Sequence, residues 1–132
     1  MSVLRRRSLL VLAGLVLMAG VTLALAPDPI DREVVLVARH MGYFEGGGQV
    51  PNPTITVRAG ERVRFVLVNE DRGMLHDLAI ESLAVTIPVL SGDGSRGWTM
   101  LGVPDAPGRH EYVCTLHERL MRGVLEVVPA SR

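Results

Sequence analysis

Apolar and polar positions alternate in short runs over most of this 132-residue chain. Glu33-Val34-Val35-Leu36-Val37-Ala38 is short and β-branched, and Thr54-Ile55-Thr56-Val57 alternates polar with apolar. Arg62-Val63-Arg64-Phe65-Val66-Leu67-Val68 starts as an alternation and becomes apolar on both faces, as a central strand does. Leu78-Ala79-Ile80, His110 to Cys114 and Gly123 to Val128 complete the set of predicted strands. Turn chemistry separates them. Ala59-Gly60-Glu61 makes a tight turn, Gly46-Gly47-Gly48 with Pro51-Asn52-Pro53 a loop, Gly92-Asp93-Gly94 a second loop, and Pro104, Pro107 and Gly108 precede the Cys114 strand. Ser82 to Val103 has the weakest pattern and reads as one or two edge strands. Several short strands between turn signals, with no helical period after Pro27, predict an all-β antiparallel sandwich.

The N-terminus breaks this pattern. Arg5-Arg6-Arg7 is followed by an uncharged apolar run of 17 residues from Leu9 to Leu25. Basic start, apolar middle and small residues at Ala24-Leu25-Ala26 form an export signal, and Arg6-Arg7-Ser8-Leu9-Leu10 resembles a twin-arginine signal. As a helix the run is roughly 25 Å long at about 1.5 Å per residue, close to the bilayer core, so it equally suits an uncleaved anchor. The reading is therefore a hydrophobic N-terminal helix over residues 1–26, signal peptide or membrane anchor, and one domain over residues 27–132. The domain is expected to be periplasmic or otherwise extracytoplasmic, exported or tethered to the outer face of the cytoplasmic membrane.

Charge and cysteine content narrow the chemistry. Beyond the leader, 11 arginines face 14 acids, with no lysine in the chain. A slightly acidic domain of this kind is not expected to bind nucleic acid. The single cysteine excludes a disulfide framework, a four-cysteine zinc site, a CxxC redox pair and a two-cysteine binuclear copper centre. Gly46-Gly47-Gly48 has neither a following helix nor a Lys-Ser/Thr pair, so it is not a phosphate loop.

Specific chemistry concentrates in Cys114, His117 and Met121, spaced C-x2-H-x3-M, with His76 upstream where a strand resumes after a loop. Thiolate and thioether suit Cu(I), and imidazole suits Cu(II). Two His and one Cys with a weak Met contact is the compromise set for fast one-electron transfer. Each residue has a plainer reading: a buried small hydrophobe for Cys114, a loop histidine for His76, core filler for Met121. Their joint spacing favours the ligand set. His110, four residues before Cys114, lies roughly 13 Å along a strand and is out of reach of a common ion. His40 and Met41 fall in an unusual early loop, residues 40–52. Met74 and Leu75 are expected at an apolar rim, and Trp98 and Met100 in the core or at a sheet edge. Arg119 and Arg122 are read as surface charges beside the copper loop. No third group orients Cys114 and His117 for nucleophilic catalysis, so the chain is not read as an enzyme.

These residues resemble the cupredoxins, the small type 1 blue copper proteins of plastocyanin and amicyanin type. Glu111-Tyr112-Val113-Cys114-Thr115-Leu116-His117 followed by Met121-Arg122-Gly123-Val124-Leu125-Glu126-Val127 is similar to their ligand loop. Asn52 to Val63 resembles their strand–turn–strand segment. Asn69-Glu70-Asp71 with His76-Asp77-Leu78-Ala79-Ile80 resembles the segment carrying the first histidine. The likeness covers nearly all of residues 33 to 128. It implies a Greek-key β-sandwich, one type 1 copper held by His76, Cys114, His117 and Met121, and electron transfer outside the cytoplasm. It further implies transient redox donor and acceptor proteins as partners, the chain working as a monomer. In the plastocyanin pattern an Asn follows the first histidine; Asp77 stands there, opposite Thr115. The Asp77 carboxylate is expected to accept the Thr115 hydroxyl, with the Asp77 N–H aimed at the Cys114 sulfur. A copper chaperone or storage domain with the same ligands, and a metal-free interaction domain, remain open alternatives at this stage.

Overall fold

The computed structural model describes residues 29–131, so the leader expected over residues 1–26 lies outside the described residues. Nine strands follow in order: β1 (Arg32–Arg39), β2 (Gly42–Glu45), β3 (Thr54–Arg58), β4 (Arg62–Asn69), β5 (Leu75–Ile80), β6 (Val85–Ser91), β7 (Ser95–Gly102), β8 (Gly108–Val113) and β9 (Arg122–Val128), with one 3-10 turn at Glu81–Leu83. They form two sheets, ordered β2-β1-β4-β7 and β3-β9-β8-β5-β6.

The all-β sandwich is as the alternation predicts. Inward positions such as Val34, Leu36, Ile55, Val63, Phe65 and Leu125 are at most 1% exposed and build one core between the sheets. The sheets are mixed, however, where an antiparallel sandwich was expected. β1 runs parallel to β4, and β3 parallel to β9; the other pairs are antiparallel. Side-chain period reports which face a residue takes but not the direction of its neighbour. The long crossovers that parallel pairs need come from β2–β3 in one case and β4–β8 in the other.

The weak stretch from Ser82 to Val103 resolves into β6 and β7, one edge strand in each sheet. Pro88, which cannot donate to a ladder, lies on edge strand β6 where the pairing with β5 shifts register between His76 and Leu78. Strand β2 falls inside the stretch read as a loop. Its two-residue connection to β1 is His40-Met41, with φ of 47° and 56°; a tight hairpin turn needs such angles but usually takes them from Asn or Gly.

Gly123 is required for a different reason. A Cβ built there would lie 2.2 Å from the ring and hydroxyl of Tyr112, a buried ring whose O–H donates to the Pro53 carbonyl. A Gly123→Ala chain is expected to unfold about 1–3 kcal/mol more easily, the usual cost of overpacking a filled core, as read by urea titration. Parent stability in that variant would show that the Tyr112 ring can move aside.

Candidate metal centre

Strands β8 and β9 form an antiparallel pair whose last partners are Val113 and Arg122. Cys114 through Met121 connect them at one end of the sandwich. The Cys114 N–H donates to the Met121 carbonyl (3.0 Å), extending the ladder, and the segment between folds into consecutive turns. The His117 N–H donates to Cys114 O (3.1 Å), and the Leu120 and Met121 N–H groups both donate to His117 O (2.9 Å each). This segment brings His117 back over Cys114. His76 arrives from the start of β5 and is fully buried.

One donor atom from each of His76, Cys114 and His117 lies within 4.8 Å of the other two. Cys114 Sγ is 3.7 Å from His76 Nδ1 and 3.5 Å from His117 Nδ1. The two imidazole rings meet edge to face, centroids 4.9 Å apart. First-row metal bonds of about 2.0 Å to nitrogen and about 2.3 Å to sulfur, at trigonal or tetrahedral angles, set such donors roughly 3.5–3.7 Å apart. The residues therefore fit a single ion. Met121 is fully buried in the same core cluster as Cys114 and is held beside it through the backbone pair above.

The surroundings favour sulfur in one position. Burial pushes the Cys114 thiol above its ordinary value, while the backbone N–H groups of Asp77 and Leu116 act on the sulfur in the opposite direction. The carboxylate of buried Asp77 accepts the Thr115 hydroxyl, as the sequence predicts, and also the Thr115 N–H (2.7 Å). This clamp matters because β5 and β8 share only one ladder pairing, Ala79 with Val113.

Three residues that sequence reasoning did not place at the site also bear on it. Tyr43, fully buried on β2, donates its hydroxyl to the Asp77 carbonyl and stacks edge-on against Tyr112, centroids 5.6 Å apart. Burial, with the Cys114 and Asp77 charges, holds that phenol far above its ordinary value. Asn52 accepts the Tyr43 N–H (3.0 Å) and donates to the Leu120 carbonyl (2.8 Å), tying the early loop to the ligand loop. Asp71 lies against His76 Nε2 at 3.1 Å. Burial raises the Asp71 carboxyl, but the Met41 N–H, His76 and the His40 N–H outweigh it and hold it below the usual carboxylate range.

The remaining sequence candidates fall elsewhere. His110 pairs with the Ser82 hydroxyl (2.8 Å) and stands outside the donor group. His40 is exposed on the β1–β2 turn, and Trp98, on edge strand β7, is 64% exposed. Arg122 pairs with Glu111 at 3.6 Å, and Arg119 is exposed. Leu75 beside His76, and Leu116 and Leu120 on either side of His117, are large apolar side chains left about half exposed.

Among solved structures, auracyanin B superposes with a TM-score of 0.59 at 19% identity, over 79% of this chain and 94% of its own. Auracyanin A, a "blue" copper protein from the green thermophilic photosynthetic bacterium Chloroflexus aurantiacus, gives 0.56 at 16% identity, over 73% of this chain and 98% of its own. The fold is the cupredoxin fold. It is also similar to part of the multicopper oxidase McoA from the hyperthermophile Aquifex aeolicus, with a TM-score of 0.61 at 14% identity, but the chain spans only 27% of that protein. No family sequence profile and no curated protein sequence matches the chain. Within this cupredoxin fold, His76, Cys114 and His117, with Met121, form a candidate copper site.

Proposed function

We propose that the chain is a type 1 copper electron-transfer protein. The observation that carries this reading is the convergence of one sulfur and two imidazole nitrogens from separate parts of the chain at one buried point. His76, Cys114 and His117 would hold the copper, with Met121 as the weak fourth contact. Bound there, copper supplies a one-electron couple between Cu(I) and Cu(II). The chain's contribution is to keep those groups still: the β8–β9 ladder fixes Cys114 and Met121, the Asp77–Thr115 clamp fixes β5 to the ligand loop, and Asn52 braces Leu120. His76 and Cys114 are fully buried, which keeps bulk water from competing as a ligand, whereas His117 is only half-buried and offers the route to the surface.

The apolar surface around His117, with Leu75, Leu116 and Leu120, suits brief docking by redox donor and acceptor proteins, since a carrier must also dissociate. We read the chain as a monomeric carrier rather than an enzyme. One donor group among the described residues supports one copper, and a multicopper oxidase needs several. The arginine-led apolar leader supports placement outside the cytoplasmic membrane, exported or tethered.

The test is reversible colour. Loaded with Cu(II), the full chain is expected to turn intensely blue, bleach with one equivalent of ascorbate-derived electrons, and recover its colour with ferricyanide. A chain that holds Cu(I) tightly but stays colourless with Cu(II) would replace this reading with that of a copper chaperone or storage protein.

A further inference from the structure

His76 enters the site with both ring nitrogens engaged: Nδ1 faces Cys114 Sγ at 3.7 Å, and Nε2 faces Asp71 Oδ2 at 3.1 Å. An aspartate at neutral pH only accepts hydrogen bonds, so Nε2 must carry the proton and Nδ1 is left with its lone pair toward the sulfur. Asp71 is itself held from several sides. Its Oδ1 accepts the His40 N–H (3.0 Å) and its Oδ2 the Met41 N–H (2.9 Å), across the β1–β2 turn. Its own N–H donates to Asn69 Oδ1 (3.1 Å), and the buried Asn69 also donates to the Met74 and Leu90 carbonyls. Gly92 presses on its backbone so closely that a Cβ there would lie 1.7 Å from the Asp71 carbonyl oxygen.

We propose that Asp71 is the positioning residue of the site: it selects the His76 tautomer that presents Nδ1, and it couples that ring to the His40-Met41 turn. The two central residues of that turn both have positive φ without being Gly or Asn, a conformation that persists only where its surroundings enforce it. The same carboxylate supplies that enforcement through two N–H acceptors while orienting His76. The His40-Met41 turn thus acts on His76 through one carboxylate, while Tyr43 of the same hairpin meets the site separately at the Asp77 carbonyl. The consequence for copper rests on the function proposed above; the tautomer assignment does not.

The experiment compares the isotope-labelled full chain with Asp71→Ala, Asp71→Asn and the double variant His40→Asn/Met41→Gly. Imidazole nitrogen NMR shifts report the His76 tautomer in the metal-free protein, and competition with a chromophoric chelator reports Cu(I) affinity. In Asp71→Ala, His76 is expected to become a mixture of tautomers and the Cu(I) Kd to rise about 10- to 100-fold. Asp71→Asn keeps one acceptor oxygen for three converging donors; it is expected to fold and to shift both readouts in the same direction by less. It decides the matter if Asp71→Ala fails to fold. The turn variant keeps both N–H donors and should match the parent in both readouts. A folded Asp71→Ala or Asp71→Asn chain with parental His76 shifts and parental Kd would overturn the proposal. If the parent takes up no Cu(I), the copper reading falls, and the tautomer measurement still decides the role of Asp71.

Discussion

Cys114→Ser is expected to abolish the blue colour completely while leaving the chain folded. Cys114 is the only cysteine, so no second sulfur can substitute. The intense absorption of a type 1 site comes from charge transfer out of a thiolate, and a serine hydroxyl does not ionise near neutral pH. The new oxygen would sit close to His76 Nδ1 and His117 Nδ1, which lie 3.7 and 3.5 Å from the present sulfur, so the buried hydroxyl finds an acceptor and the fold survives. Copper affinity should fall by more than the ~100-fold that losing a mere supporting contact costs. An absorption spectrum with a copper assay reads both effects. Retained colour in this variant would mean that the sulfur is not a ligand.

Asp77→Ala is expected to have the largest effect among residues outside the ligand set. Its carboxylate takes two hydrogen bonds from Thr115, one from the backbone and one from the hydroxyl, and both are lost together. Bonds to a charged acceptor contribute about 1.5–3 kcal/mol each, and the exposed Thr115 can turn its freed donors to water, so denaturant unfolding should show about 3 kcal/mol of destabilisation. The site should loosen as well, because Ala79–Val113 is then the only ladder pairing joining the His76 strand to the strand that leads into Cys114. Broadened optical and EPR features are the expected sign. Asp77→Asn separates the two contributions. Its amide oxygen can still accept the Thr115 N–H and its NH2 can donate to the Thr115 hydroxyl, so the loss should be about 1 kcal/mol. Equal losses in the two variants would show that the clamp depends wholly on the carboxylate charge and that neutral hydrogen bonds cannot replace it.

The parts of the site that were legible in the sequence are the local ones. Cys114, His117 and Met121 fall within one strand connection, and their spacing alone brings them together once β8 and β9 pair. Asp77 and Thr115 were legible because each directly follows a ligand, so placing the ligands places the clamp. Asp71 was not. It lies five residues before His76 in the polar run Asn69-Glu70-Asp71-Arg72, where nothing local sets its carboxylate apart from that of Glu70, and its partners His40 and Met41 are about thirty residues away. Tyr43 and strand β2 were hidden for a related reason: the turn that defines the hairpin carries His-Met in place of Asn-Gly, so no local signal marked it. The parallel pairings of β1 with β4 and β3 with β9 depend on which sheet each strand joins, and alternation along a single strand carries no such information.

One copper ion is expected to bind where the donor atoms of residues 76, 114 and 117 converge. A Cu(II) titration of the full chain followed by optical and EPR spectroscopy reads this binding. An intense blue band should saturate at one copper per chain, with the narrow parallel hyperfine splitting of a copper–thiolate site. A titration that ends colourless, with the wide splitting of ordinary nitrogen- and oxygen-ligated Cu(II), would contradict it.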